Sequence, residues 1–161
     1  MGDGIMKDAY KATIEFGAEP ENEGFARMVV AGFITRLNPT LEELADVRTA
    51  VSEAVTNAII HGYEMKTGKV YVECEICGND FSVTVKDNGV GIKDITKAME
   101  PLYTTKPELE RSGMGFSFME AFMDEVSVES TPGEGTTVRM CKKITNENHM
   151  IECEKKAVGY N

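Results

Sequence analysis

Hydrophobic positions along the chain change period several times, and each change marks an element. Residues 7 to 18 alternate weakly, with Tyr10, Ala12, Ile14 and Phe16 on one side, which predicts a strand suited to a sheet edge. From Glu21 the spacing becomes three and four through Phe25, Met28, Val29, Gly32, Phe33 and Leu37, the pattern of an amphipathic helix with acidic residues in its first turn, where the dipole favours them. Asn38 and Pro39 stop it. Thr40 with Glu43 three residues on forms a capping box that opens a second helix, expected to run to about His61 and end at Gly62. Its apolar stripe is Leu44, Val47, Val51, Val55 and Ile59. At about 100° per residue, Glu53 and Asn57 lie nearly opposite that stripe, one turn apart on one face. Ala50, Ala54 and Ala58 beside them are too small to fill the space above that face, so a ligand has room to approach.

Two strands are expected over residues 69 to 77 and 81 to 86, joined by Gly78, Asn79 and Asp80 as a hairpin turn. Phe81, Val83 and Val85 face one way. A polar, glycine-rich turn follows from Asp87 to Ile92. Residues 93 to 112, with two prolines and mixed charges, predict a mobile loop holding at most a short helix. Gly113 to Met123 reads as a loop turning into a helix. Residues 126 to 130 and 136 to 142 close the fold as a strand pair around Pro132, Gly133, Glu134 and Gly135. Residues 145 to 161 lack an apolar pattern and predict a flexible tail after a single domain over 1 to 144. There is no internal repeat.

Size and composition narrow this picture. The 161 residues, 42% hydrophobic, suit one domain with one core. No run of 18 apolar residues and no basic-then-apolar start is present, so a cytoplasmic location is expected. A net charge of -10 repels a phosphate backbone, which argues against nucleic acid as a direct partner and favours a basic protein. Cys74 and Cys77 have a metal-like spacing, but residues three apart on a strand face opposite sides, and Cys141 and Cys153 form no second close pair. All four are expected to be reduced and structural.

Three segments carry chemistry. Glu53 can take a proton or orient water, and the amide oxygen of Asn57 is a hard ligand suited to Mg²⁺; the same pair also fits an ordinary solvated helix face. Asp87 stands at a strand end before Gly89 and Gly91, with Ile92 closing the turn. Its carboxylate can accept a hydrogen bond from an exocyclic amine, and the glycines allow positive φ and a close approach of a flat ligand. A simple hairpin at Asn88-Gly89 is the alternative, but residues 93 to 100 supply no second alternating strand. Arg111, Ser112, Gly113, Met114 and Gly115 lie just before a helix start, where bare amides and the helix dipole suit phosphate and the guanidinium adds a two-point anion contact; an ordinary surface arginine ahead of a helix is the alternative.

In this order, Glu53-x-x-x-Asn57, Asp87-x-Gly89-x-Gly91 and Gly113-x-Gly115 resemble the ATP-binding signature of the gyrase, Hsp90, histidine kinase and MutL superfamily, over residues 8 to 143. The stretches from Val51 to Tyr63 and from Pro101 to Phe116 are similar, within it, to the anti-sigma-factor serine kinases. That resemblance implies an α+β fold, a two-layer α/β sandwich of the Bergerat type, with a mixed, mostly antiparallel sheet and helices on one face. It implies ATP and Mg²⁺ as cofactors. Asn57 would hold Mg²⁺, Glu53 would be the general base, Asp87 would bind the adenine amino group with Thr137 completing the contacts, and Gly89, Gly91 and Ile92 would flank the base. Thr104, Thr105 and residues 111 to 115 would form a lid, with Arg111 on the γ-phosphate. Arg27 would grip protein partners. Those partners would be a sporulation sigma factor of the sigma-F type, a STAS-domain anti-anti-sigma factor as serine substrate, and a second copy in a homodimer formed through the first strand or helix. A stress-response kinase of the anti-sigma-B type and a nucleotide-gated sigma-binding protein with little kinase activity are the alternatives. A sensor histidine kinase would need an acceptor histidine on a helical hairpin, and the only histidines are His61 and His149.

Overall fold

The computed structural model describes residues 9–101, 103 and 115–145. Five strands form one sheet: β1 (Tyr10–Gly17), β2 (Lys69–Cys77), β3 (Asp80–Asp87), β4 (Glu125–Thr131) and β5 (Gly135–Lys143), in the order β1-β2-β3-β5-β4. The expected sheet was mixed and mostly antiparallel; all four pairings here are antiparallel. Alternation decides the faces. Val70, Val72, Cys74 and Ile76 of β2 and Phe81, Val83 and Val85 of β3 point into the helix layer and are buried, while their neighbours in sequence face away from it. The β2–β3 hairpin turns at Gly78 and Asn79, with Cys77 paired to Asp80. Gly78 takes φ +62, a value glycine adopts without a Cβ penalty.

The helix layer comprises α1 (Asn22–Ile34), α2 (Leu41–Asn57), the four-residue α3 (Ile95–Ala98) and α4 (Gly115–Phe122). The expected first helix ends earlier as an α-helix and continues as a tighter 3-10 turn, Thr35–Leu37, before Asn38 in the left-handed region. The capping box at the start of α2 is present: Glu43 N donates to Thr40 Oγ1 at 3.1 Å and Thr40 N to Glu43 Oε2 at 2.9 Å. Packed between α1 and α4 over the sheet, α2 buries Val47, Val51 and Val55, with Leu44 half-buried beside them and Ile59 buried just past its end. Each such side chain contributes about 1.5–3 kcal/mol by leaving water. Because α2 has neighbours on both flanks, Ala50 joins the core instead of leaving open space.

Among the described residues, anchoring contacts extend through Thr145. Ile144 is buried and its amide donates to Asn79 O, while Thr145 donates from both N and Oγ1 to Glu43 Oε1, each at 2.9 Å. Residues 146 to 161, expected to be a flexible tail, lie outside the described residues. No helix among the described residues is long and apolar enough to cross a membrane.

Candidate active site

The site begins where α2 stops being regular. Its α-helical ladder runs to Asn57 and then widens into a π-type turn, Ala58–Gly62, in which Tyr63 N reaches back to Ala58 O at 2.9 Å. The wide turn leaves Gly62 O to accept the amide of Val90 at 2.9 Å, which ties the helix exit to the turn after β3.

Glycines permit that contact. A Cβ on Gly89 would lie 2.0 Å from Gly62 O, and one on Gly62 would lie 2.8 Å from the Asp87 carboxylate. Gly91, at φ +72, sits against Thr131 O of the β4–β5 hairpin. The glycines, expected to clear space for a flat ligand, also allow chain to pack closely against chain. Val90, Gly91 and Ile92 then line a cavity of about 560 Å³ together with Ala54, Asn57, Ala58, His61, Asp87, Gly115 and Thr136. That volume lies in the range of small-molecule sites.

Asp87 is 5% exposed at the floor of this cavity. Burial pushes its carboxyl above the ordinary aspartate range, and hydrogen bonds from the Gly89 and Thr136 amides pull part of the way back. The Gly89 bond goes to Oδ1 at 2.9 Å. A buried carboxylate with two amide donors and a face on a cavity is an acceptor that a ligand donor can complete. At the other end, Glu53 and Asn57 converge. A Cβ on Gly115, the first residue of α4, would lie 3.2 Å from Glu53 Oε2 and 3.3 Å from both Nδ2 and Oδ1 of Asn57. Side chains four apart on α2 therefore meet the start of a second helix across a narrow gap, in which a Cβ at position 115 would be a tight fit.

Similarity to known proteins follows the same outline. Residues 16–142 match the family described as histidine kinase-like ATPase domain. An anti-sigma F factor of Clostridium perfringens strain SM101 is 58% identical over 135 residues, spanning 83% of this chain and 96% of that protein. The chain belongs to the anti-sigma F factor family. Family members from Clostridium botulinum strain Eklund 17B, 58% identical over 135 residues, and Thermoanaerobacter sp. strain X514, 57% over 134, each match 83% of this chain and 94% of their own length. A solved structure of the RsbU and RsbW domains of a Mycobacterium tuberculosis protein shares the fold, with a TM-score of 0.61 at 20% identity, over 84% of this chain and 32% of that one.

For this anti-sigma F family chain, Asn57, Asp87, Gly91, Ile92 and Gly115 line the cavity; Glu53 and Gly89 do not line it, but Glu53 lies next to Gly115 beside Asn57, and Gly89 bonds to Asp87 through its amide. Thr104, Thr105, Arg111, Ser112, Gly113 and Met114 lie outside the described residues. Thr137 is not on the cavity. On β5 the buried, helix-facing positions are Thr136, Val138 and Met140, and the alternation turns Thr137 to the opposite face; Thr136 is the threonine beside Asp87. Two adjacent threonines give the sequence no means of choosing, since a shift of one residue exchanges the faces. Arg27 lies away from the cavity on α1, 3.7 Å from Glu23 and 39% exposed in its side chain. Lys93 and Lys97 also line the cavity, a contribution that sequence reasoning missed because both sit in a stretch without periodicity. Cys74 is buried, with its thiol pushed up to about 12 by burial and by nearby Glu73, and Cys77 is exposed at the end of the same strand.

Proposed function

We propose that the protein binds Mg-ATP in this cavity, phosphorylates a serine of a small STAS-domain anti-anti-sigma factor, and binds and inhibits a sporulation sigma factor of the sigma-F type. The observation that carries this reading is the convergence of Glu53 and Asn57 on Gly115 at one end of a cavity floored by Asp87.

The residues fit the ligands. A purine amino group is a donor matched to the unfilled acceptor capacity of Asp87, and the 560 Å³ cavity admits a nucleotide. The Asn57 amide oxygen is a hard donor. Among the described residues no group of three or more His, Cys, Asp or Glu is placed to hold a metal, and Mg²⁺ that keeps several waters and binds phosphate oxygens asks for none. When bound, Mg²⁺ would neutralise charge on the phosphates.

The chain's own contribution to transfer is position and proton handling. Glu53 accepts the proton of the serine hydroxyl as its oxygen bonds to the γ-phosphorus and the bond to the departing ADP breaks. Glu53 is half-buried next to Gly115 at the start of α4, a position that supports its reading as the base. Arg111 supplies the cation for the transferring group, with Thr104, Thr105 and Ser112 to Gly115 closing over the phosphates. Arg27 offers a guanidinium to protein partners on α1, and the exposed Tyr10, Phe25 and Met28 on β1 and α1 suit a homodimer contact. The net charge of -10 suits a basic partner.

Incubation with Mg-ATP and a STAS-domain substrate is expected to yield acid-stable phosphoserine, and Glu53→Gln to slow its formation by at least about 100-fold. Equal rates for the two proteins would remove Glu53 from the role of base. Nucleotide-dependent sigma-factor capture without any phosphoserine would favour a nucleotide-gated binder.

A further inference from the structure

The turn from Asn88 to Ile92 is held by four of its amides, each bonded to a different residue. Asn88 N donates to the Tyr63 hydroxyl at 2.8 Å, Gly89 N to Asp87 Oδ1 at 2.9 Å, Val90 N to Gly62 O at 2.9 Å, and Ile92 N to Ser130 Oγ at 2.7 Å. Two of the four acceptors are side-chain hydroxyls. Neither was assigned a role at the site from the sequence.

Each hydroxyl is used fully. Tyr63 has one hydrogen, which it donates to Lys69 O at the start of β2, leaving its oxygen to accept from Asn88. Its ring packs on Gly68, where a Cβ would lie 2.3 Å from it. Ser130 Oγ lies 3.0 Å from Gly135 O and 2.8 Å from Thr136 Oγ1. Donation to Gly135 O and acceptance from Ile92 N and the Thr136 hydroxyl satisfies all three contacts at once. Thr136 in turn gives its amide to Asp87. Ser130 therefore couples the cavity-lining end of the turn to the buried carboxylate through one intermediate residue, while Tyr63 fixes the opposite end to the exit of α2.

We infer that Tyr63 and Ser130 are positioning residues for base recognition, two hydroxyl pins that set the Val90–Gly91–Ile92 wall of the cavity relative to Asp87. This rests on the nucleotide reading of the cavity. A wall and an acceptor carried on separate segments discriminate between bases only if their separation is held to a fraction of an ångström, because a misplaced hydrogen-bond partner loses most of its contribution. Without Ser130 Oγ, the Ile92 amide and the Thr136 hydroxyl lose a common partner. Without the Tyr63 oxygen, the Asn88 amide loses its partner while the ring stays in place.

The test uses the full chain and the variants Tyr63→Phe, Ser130→Ala and Ser130→Thr, with three readouts: amide exchange without ligand, calorimetric affinity for ADP, and affinity for IDP, which lacks the amino group. Tyr63→Phe is expected to speed exchange at Asn88, and Ser130→Ala at Ile92. Each should weaken ADP binding by about fivefold and narrow the ADP-over-IDP preference, with Ser130→Thr restoring both. Folded variants that bind ADP within twofold of the parent, or that lose ADP and IDP affinity equally, would overturn the inference while leaving the nucleotide reading intact. Failure of the unmodified protein to bind ADP or ATP would overturn that reading and the inference together. Should Ser130→Ala not fold, Tyr63→Phe, which removes a single oxygen, decides the question.

Discussion

Glu43 and Asp87 are both buried carboxylates, and their surroundings give them opposite chemistry. Glu43 sits at the start of α2, where burial works upward on its carboxyl but is outweighed by hydrogen bonds from Thr145 and Thr40, so it is held below the ordinary glutamate range. Asp87 sits on the cavity floor with bonds from the Gly89 and Thr136 amides, and there burial prevails and the carboxyl is pushed up. One end of the molecule closes around its charge and is finished by it. The other leaves a charge underpaired beside open space, a state that serves a ligand more than it serves the fold.

The largest expected difference is in what each loss does. Asp87→Asn should weaken adenine-nucleotide binding roughly 10- to 100-fold, the contribution of a hydrogen bond to a charged group, while raising stability at neutral pH by relieving a buried charge. Calorimetric titration with ADP and a thermal melt on the same sample check both halves; a fall in melting temperature alongside the lost affinity would remove the contrast. Glu43→Ala should do the reverse, costing about 2 kcal/mol in urea unfolding through the lost cap and the lost anchor of Thr145, with nucleotide affinity unchanged within about twofold.

A smaller effect sharpens the comparison through pH. Because the folded-state pKa of Glu43 is depressed, its stabilisation is present above the unfolded pKa and is lost as pH falls through the folded value. Asp87, with a raised folded-state pKa, has the opposite sign: its contribution is present below the unfolded pKa and is lost as pH rises through the folded value. Urea midpoints from pH 3 to 7 should therefore show the deficit of Glu43→Ala shrinking toward acid, and the advantage of Asp87→Asn shrinking in the same direction. The smallest expected effect is at the adjacent threonines. Thr137→Ala should change ADP affinity by less than about twofold, because that side chain faces away from the cavity, whereas Thr136→Ala removes a hydroxyl bonded to Ser130 and should have the larger effect. The reverse order in a paired titration would restore Thr137 as the site residue.

Much of this was legible beforehand because it depends on local rules. The alternation in β2 and β3, the Thr40–Glu43 capping box and the four-residue spacing of Glu53 and Asn57 all follow from backbone geometry within one element. The π-type turn at Ala58–Gly62 was hidden because the contact it makes possible, Gly62 O with Val90 N, joins segments distant in sequence. The same holds for the second role of Glu43, whose partner Thr145 fell in a stretch read as tail.

By itself the sequence determined the elements, the ordered motifs and hence the family, since periodicity and spacing act over a few residues. Only the tertiary structure decided that Gly89 and Gly91 serve chain packing, that Thr136 and not Thr137 stands beside Asp87, and that Tyr63 and Ser130 grip the turn between them. Those facts depend on which backbones approach within a hydrogen bond of one another, and that distance is set by the packing of the whole sheet against its helices.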